Sequence, residues 1–214
     1  MTSTTSKTTS RLRRISIAAL ALSLGLAAAL PVGEVRAQDA RTAVQSGVDD
    51  VLAILRSDGL PLDQKRKQIE DIAYQSFDFE RMSKLALARS YKKLDADQRV
   101  QFQEEFKRHL ALTYGRSLEN YSDEGIAIGD TREHKNGDVT VLGKIVGGKN
   151  EGATIDWRMR TRDDTWKVID VIIEGVSLIA NFRSQVQEIV SSKGPAALIL
   201  QLRHKNDAEQ NAPR

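Results

Sequence analysis

Residues 166–190 read WKVIDVIIEGVSLIANFRSQVQEIV, and the fold turns on this stretch. Its first half has the period of a pleated strand. Trp166, Val168, Asp170, Ile172 and Glu174 share one face, and Ile169, Val171 and Ile173 share the other. After Glu174-Gly175 the period becomes that of a helix, with Leu178, Ile179, Phe182, Val186, Ile189 and Val190 on one side. Gly175 permits the change of direction, and Ser177 is placed to cap a helix starting at Leu178. Two carboxylates on so apolar a strand raise the question of chemistry.

Working outward from there, the segment from Ile126 to Thr165 keeps the period of two. Ile126 and Ile128 open a strand, and Asn136-Gly137 signals a tight hairpin with a two-residue turn. Val139, Val141 and Ile145 follow around Gly143, a bend or bulge. In Thr154–Arg160, Ile155, Trp157 and Met159 oppose Asp156, Arg158 and Arg160, and Asp163-Asp164 turns into the opening strand. Upstream the period is helical. Val44, Val48, Val51, Leu52 and Leu55 form one face, ended by Gly59-Leu60-Pro61. Ile69, Ile72, Ala73 and Phe77 face inward from a second helix, and Asp78 caps a third with Phe79, Met82, Leu85 and Leu87. Asp95 and Gln98 make a capping box for the longest helix. Its stripe of Phe102, Phe106, Leu110 and Tyr114 is extended by Val100 and Leu118. Gly194-Pro195 introduces a last helix with Leu198, Ile199 and Leu202, and the polar residues 206–214 are expected to be a disordered tail. Helices, then about four antiparallel strands, then helices predict an α+β domain, with helices packed on one side of a curved sheet. There is no internal repeat and no sign of a second domain in residues 38–205.

Residues 1–37 have the layout of a cleavable signal peptide. Arg11, Arg13 and Arg14 precede an apolar run from Ile15 to Leu30, and Val35-Arg36-Ala37 places small residues for a cut after Ala37. That run is short of the roughly 20 residues a spanning helix needs. The segment holds five of the 32 basic residues and one of the 29 acidic ones, leaving 27 against 28 in the remaining chain. The basic pI therefore belongs to the leader and does not argue for nucleic acid as a partner. Without cysteine there are no disulfides, thiolate metal sites, cysteine nucleophiles or lipid-bearing cysteine. Export without disulfides points to a soluble protein of a bacterial periplasm.

Motifs for chemistry are sparse. His109, His134 and His204 lie far apart with no second ligand at metal spacing, so no metal site is expected. No serine sits in a nucleophile elbow. Gly147-Gly148-Lys149-Asn150 lacks the Ser or Thr and the following helix of a phosphate loop, and reads as a hairpin turn. Asp170 and Glu174 admit two readings. They are either a general base and its partner raised in pKa by burial, or structural acids paired with Arg158, Arg160, Arg162 or Arg183.

Several of these segments carry a resemblance. Ser76-Phe77-Asp78-Phe79, Leu87-Ala88-Arg89-Ser90-Tyr91, the helix with Phe102 and Phe106, Trp166-Lys167-Val168-Ile169-Asp170-Val171, Glu174-Gly175-Val176-Ser177-Leu178 and Asn181-Phe182-Arg183 resemble the MlaC family, also called the toluene-tolerance Ttg2D family. The family pattern often has Gly at the position of Ala88 and Trp at that of Tyr91, swaps that keep size and character. The resemblance implies a cone-shaped domain related to nuclear transport factor 2, enclosing an apolar cavity. It also implies a non-enzymatic, monomeric phospholipid carrier without cofactor, its only ligand being lipid cargo. Its partners would be an outer-membrane lipoprotein–porin complex and an inner-membrane ABC transporter with a lipid-binding ring, and its task the maintenance of outer-membrane asymmetry.

The expected acyl pocket comprises Phe102, Phe106, Leu110 and Tyr114 from the long helix with Val141, Ile155, Trp157, Val168 and Ile172 from the sheet. Phe77, Phe79 and Leu85 are expected to shape its mouth, and Tyr91, Lys92 and Lys93 to meet a head group or partner. No catalytic residue is assigned, and Glu174 is expected to anchor the strand-to-helix corner through an arginine. The alternatives are a binding protein for another apolar molecule, an acid–base enzyme using Asp170 and Glu174, and an adaptor with a solid core.

Overall fold

The computed structural model describes residues 32–115, 121 and 123–212. Leu118 and residues 1–31 of the expected leader lie outside that set. Two long helices open the fold, α1 (Val32–Arg56) and α2 (Leu62–Ser76). Helix α3 (Phe79–Leu87), a 3-10 helix (Ala88–Lys93) and α4 (Ala96–Gly115) follow. The strands β1 (Gly125–Glu133), β2 (Val139–Val146), β3 (Ile155–Arg162) and β4 (Thr165–Ile173), with the two-residue β5 (Val176–Ser177), make one antiparallel sheet in chain order. Helices α5 (Leu178–Lys193) and α6 (Pro195–Gln210) close the chain. The fold is α+β, with five strands where about four were expected.

Local chemistry fixes the boundaries. Asp78 accepts from the Arg81 N–H at 2.8 Å to start α3. Asp95 and Gln98 exchange side-chain-to-backbone bonds at 2.8 and 3.2 Å at the head of α4, the reciprocal pattern of a capping box. Ser177 accepts from the Ala180 N–H at 3.0 Å to start α5. Asp163-Asp164 and Glu174-Gly175 each place two consecutive residues at positive φ, the requirement of a two-residue hairpin turn whose twist matches the strands. The Asn136-Gly137 turn is longer than expected. His134 and Asp138 close a three-residue loop in which only Gly137 is left-handed, at φ +82°.

Two β-bulges bend the sheet. Between Ile128 and Thr131, β1 carries one extra residue relative to β2. Between Val168 and Asp170, β4 carries Ile169 as an extra residue against Arg158-Met159. This second bulge corrects the strict alternation expected for the strand. Val168 pairs with Met159 and Val171 with Trp157, so Val168 and Val171 share a face, and Asp170 and Ile172 turn to the other one.

The interior divides into two apolar clusters. In one, α3 to α6 gather Met82, Leu94, Phe102, Phe106, Phe182, Leu198 and their neighbours into a filled core. Phe102 and Phe106 are fully buried and stack at 5.6 Å, with Phe106 to Phe182 at 4.6 Å. Such pairs add about 0.5–1.5 kcal/mol beyond burial. The other cluster joins α1 (Ala40, Val44, Val48) to one sheet face (Val139, Val141, Trp157, Met159, Val168, Val171). Phe77 packs against both, bridging to Val168. Helix α6 runs to Gln210 with Asn206 fully buried, so the segment expected as a tail is helical over its first half. Val100, placed on the apolar stripe of α4 by spacing, is 63% exposed.

Candidate functional site

The second cluster is not filled. Between α1, α2 and the sheet lies a cavity of about 710 Å³. Helix α1 contributes Ala43, Val44, Gly47, Val48, Val51, Leu52 and Leu55, spaced three and four apart so that one stripe forms the roof. Helix α2 contributes Ile69, Ile72 and Ala73. The sheet supplies the floor with Ile126, Ile145, Ile155, Trp157, Met159, Trp166 and Val168, and Phe77 closes one side. Polar groups appear only towards the two ends of the strands. Gln75, Ser76, Thr165 and Lys167 stand at one, and Tyr121, Glu124 and Asn150 at the other.

Helix α1 is held by two arginines, one in its first half and one at its C-terminal end. Arg41 donates to the Ile128 and Gly129 carbonyls at 3.1 and 2.9 Å, on the bulge of β1. Arg56 donates to Tyr121 and Asp123, both at 3.2 Å, and to the Glu124 carbonyl at 3.4 Å. Helix α2 is held by lysines. Lys65 donates to the Leu55 carbonyl and Lys167 to the Gln75 carbonyl, each at 2.7 Å. Between these anchors the described residues of the facing surfaces are aliphatic and aromatic. The volume lies within the roughly 300–1,000 Å³ typical of small-molecule sites.

Of the twelve residues expected to form the pocket, Phe77, Ile155, Trp157 and Val168 line this cavity. Val141 is buried in the same cluster but beneath the surface. Phe79, Phe102 and Phe106 belong to the filled core, and Leu85 and Leu110 pack against it. Tyr114 is half-buried on α4, its hydroxyl pushed up in pKa by burial. Ile172 is on the opposite sheet face, carried there by the bulge at Ile169. The ring of Tyr91 is buried between Arg99 at 5.2 Å and Lys84 at 6.0 Å, while Lys92 and Lys93 are exposed on the 3-10 helix. The walls that the expectation omitted are α1 and α2. Their stripes were visible in the spacing, but nothing in spacing says that a stripe faces a void.

Neither strand carboxylate reaches the cavity. Asp170, 4% exposed, accepts from the Ser177 hydroxyl at 2.6 Å and from the Ile179 N–H at 3.2 Å, tying β4 to the start of α5. Glu174 accepts from the Thr154 N–H and, at 3.0 Å, from the Thr154 hydroxyl. Those donors, the backbone N–H first, lower its pKa below the usual value. Of the expected arginine partners, Arg158 stands opposite Asp170 in the β3–β4 ladder with its buried Nε unbonded, and the other three are engaged elsewhere. Arg160 forks onto Asp138, Arg162 bonds Asp78 and Glu80, and Arg183 donates to the Leu85 carbonyl. Among the described residues no group of three His, Asp or Glu side chains could hold a metal ion.

The toluene tolerance protein Ttg2D of Pseudomonas putida is 26% identical over 176 residues, covering 80% of this chain and 82% of its own. A phospholipid-binding protein from Ralstonia solanacearum, solved in complex with a phospholipid, superposes with a TM-score of 0.72 at 29% identity. That match covers 81% of this chain and 99% of the other. The model of the family described as MlaC protein matches residues 45–204, from within α1 to within α6. The match takes in the second half of α1, α2 and the whole sheet, from which most of the cavity wall is built, and the chain belongs to the MlaC family.

Proposed function

We propose that this protein is a soluble periplasmic phospholipid carrier and that the cavity between α1, α2 and the sheet holds the acyl chains. The observation that carries this reading is the cavity itself: about 710 Å³, walled by apolar side chains, in a relative of a protein solved with phospholipid bound. Burying a methylene is worth about 0.8 kcal/mol, so two chains of about 15 methylenes represent on the order of 24 kcal/mol. Unaided passage through water is correspondingly slow. A carrier needs to offer a comparable apolar surface and no bond-making group, which suits Asp170 and Glu174 as scaffold residues.

The wider reading follows from the family. The carrier moves as a monomer between an outer-membrane lipoprotein–porin complex and an inner-membrane ABC transporter with a lipid-binding ring. Cleavage after Ala37 would leave α1 with Ala40, Val44 and Val48, the buried residues that seat it on the sheet. No described helix is long and apolar enough to cross a membrane. The exposed Lys92 and Lys93, beside the Tyr91 ring and its flanking cations, offer a contact for an anionic partner surface. With both lysines replaced by Glu, lipid transfer to acceptor complexes should slow while the lipid bound per molecule stays constant. A fall in bound lipid instead would place these residues at the cargo.

The deciding experiment is organic extraction of protein purified from cells without detergent, followed by mass spectrometry. Phospholipid near one molecule per protein is expected. Its absence overturns the carrier reading, and a different apolar compound in its place would make the protein a carrier of that compound.

A further inference from the structure

The glycine at position 143 has no conformational reason to be glycine. Its backbone is not in the left-handed region, unlike that of Gly137, Gly175 or Gly194. Space is the reason. A Cβ built there would lie 2.6 Å from Cζ3 and 3.1 Å from Cη2 of Trp157, and 2.8 Å from the Ile155 carbonyl oxygen. Gly143 sits on β2 midway between Val141 and Ile145, and the period of two puts all three on one face. Ile145 lines the cavity and Val141 packs in its wall, so that face looks at the void. The six-membered ring of Trp157 therefore lies over the Gly143 backbone as part of the cavity floor.

The surrounding backbone is arranged around this ring. The β2–β3 ladder pairs Val141 with Trp157 and resumes as a bridge between Lys144 and Thr154. Between them the Gly143 N–H points to the Asp156 carboxylate, at 3.4 Å. On its other side Gly143 pairs with Ile128, next to the bulge of β1 that Arg41 clamps to α1. Gly47, opposite on α1, lines the same cavity but would meet nothing within 4 Å on gaining a Cβ. One glycine thus leaves space to the void, and the other gives its space to an aromatic ring.

We propose that Gly143 and the Trp157 ring laid over it set the depth of the cavity and so the length and bulk of the acyl chain it accepts. The inference rests on the phospholipid reading and adds to it the element that limits the chain. A methyl at 143 lifts the ring off the sheet into the space the lipid would use. A smaller residue at 157 uncovers the strand and deepens the floor.

The test loads wild-type protein and the variants Gly143→Ala, Trp157→Leu and Gly143→Ala/Trp157→Leu from vesicles of mixed C14 and C18 phosphatidylglycerol. Bound lipid is read by mass spectrometry, and folding by circular dichroism. Gly143→Ala should hold about tenfold less lipid than wild type, the ratio that ~1.4 kcal/mol of lost binding produces. The double variant should recover lipid, and Trp157→Leu alone should shift the bound population toward the longer chain. If the contact with the Ile155 carbonyl prevents Gly143→Ala from folding, Trp157→Leu and Trp157→Phe decide the matter, since they leave the glycine backbone untouched. A folded Gly143→Ala protein with the wild-type load, or an unchanged chain-length distribution in Trp157→Leu, overturns the proposal. Wild-type protein that takes up no phospholipid overturns the carrier reading instead.

Discussion

At the scale of single residues, Ala88 is where side-chain reasoning and backbone reasoning part. Judged by size, Ala for the Gly of the family pattern is a mild swap. In the fold, Ala88 ends α3 at φ 49° and ψ −123°, a conformation of the first central position of a type II′ turn, which Gly adopts freely and an L side chain does not. Strain of this kind costs on the order of 1–3 kcal/mol, against which a new Gly adds roughly 0.5–1 kcal/mol of unfolded-state entropy. Ala88→Gly should therefore stabilise the protein by about 1 kcal/mol, or ~2–4 °C in Tm for a chain of this size. Thermal denaturation of the two proteins side by side checks this, and a lower Tm in the variant would contradict the strain assignment. Glu174 gives a similar lesson. Its place at a corner was legible from Glu174-Gly175, but its partner was not, because Thr154 lies 20 residues back, just ahead of β3, and hydroxyls leave no charge pattern to follow.

At the scale of elements, α2 differs from its neighbours in having no buried residue. Its Ile69, Ile72 and Ala73 face the void, while Tyr74 meets Phe79 of the filled core; on the carrier reading proposed above, the cargo would complete the packing of the first three. Removing lipid should speed amide exchange across Leu62–Ser76 while α4, packed in the filled core, keeps its protection. Equal exchange with and without lipid would mean that the lysine tethers at its two ends suffice to hold it. The seam of α4 and α6 carries a different sensitivity. His109 is 6% exposed against Phe182 at 5.7 Å, with no hydrogen-bond partner on Nδ1. Burial, aided by Lys205, lowers its pKa, with Asn206 and Glu209 opposing. The unfolded chain takes up this proton near pH 6.5 and the folded one only at lower pH. The stabilising contribution is therefore complete above about pH 6.5 and is lost as pH falls toward the folded pKa. His109→Gln should narrow the gap between Tm at about pH 7 and pH 5; an unchanged gap would assign the acid sensitivity elsewhere. Helix existence and caps were legible because they depend on neighbours in sequence. The bulge at Ile169 was not, since an extra residue in β4 is defined only against Arg158-Met159 on β3. That one residue carried Asp170 and Ile172 to the face away from the cavity.

For the whole molecule, the sequence displays apolar bulk but not its absence, and this is why Phe102 and Phe106 were expected at the pocket. Bulky side chains fill space. The void is walled by the slimmer stripes of α1 and α2 and by a sheet face on which the two tryptophans lie, both of them cavity residues. The division into a filled core and a hollow one predicts that stability and cargo can be separated. Phe106→Ala should cost about 3–5 kcal/mol, because it removes a fully buried ring stacked on Phe102 and tilted against Phe182. The molecules that remain folded should carry the wild-type load. Gly47→Leu should do the reverse. It replaces a mid-helix glycine with a good helix former, worth roughly 0.5–1 kcal/mol to α1, and sends a butyl group into open space where a lipid would lie. Denaturant unfolding measures the first effect and extracted lipid per folded molecule the second. Fluorescence from Trp157 and Trp166 reports directly on the cavity in both variants. If Phe106→Ala empties the protein while still folded, or Gly47→Leu remains fully loaded, the two cores are not separate in function and the void between α1, α2 and the sheet is not where the cargo sits.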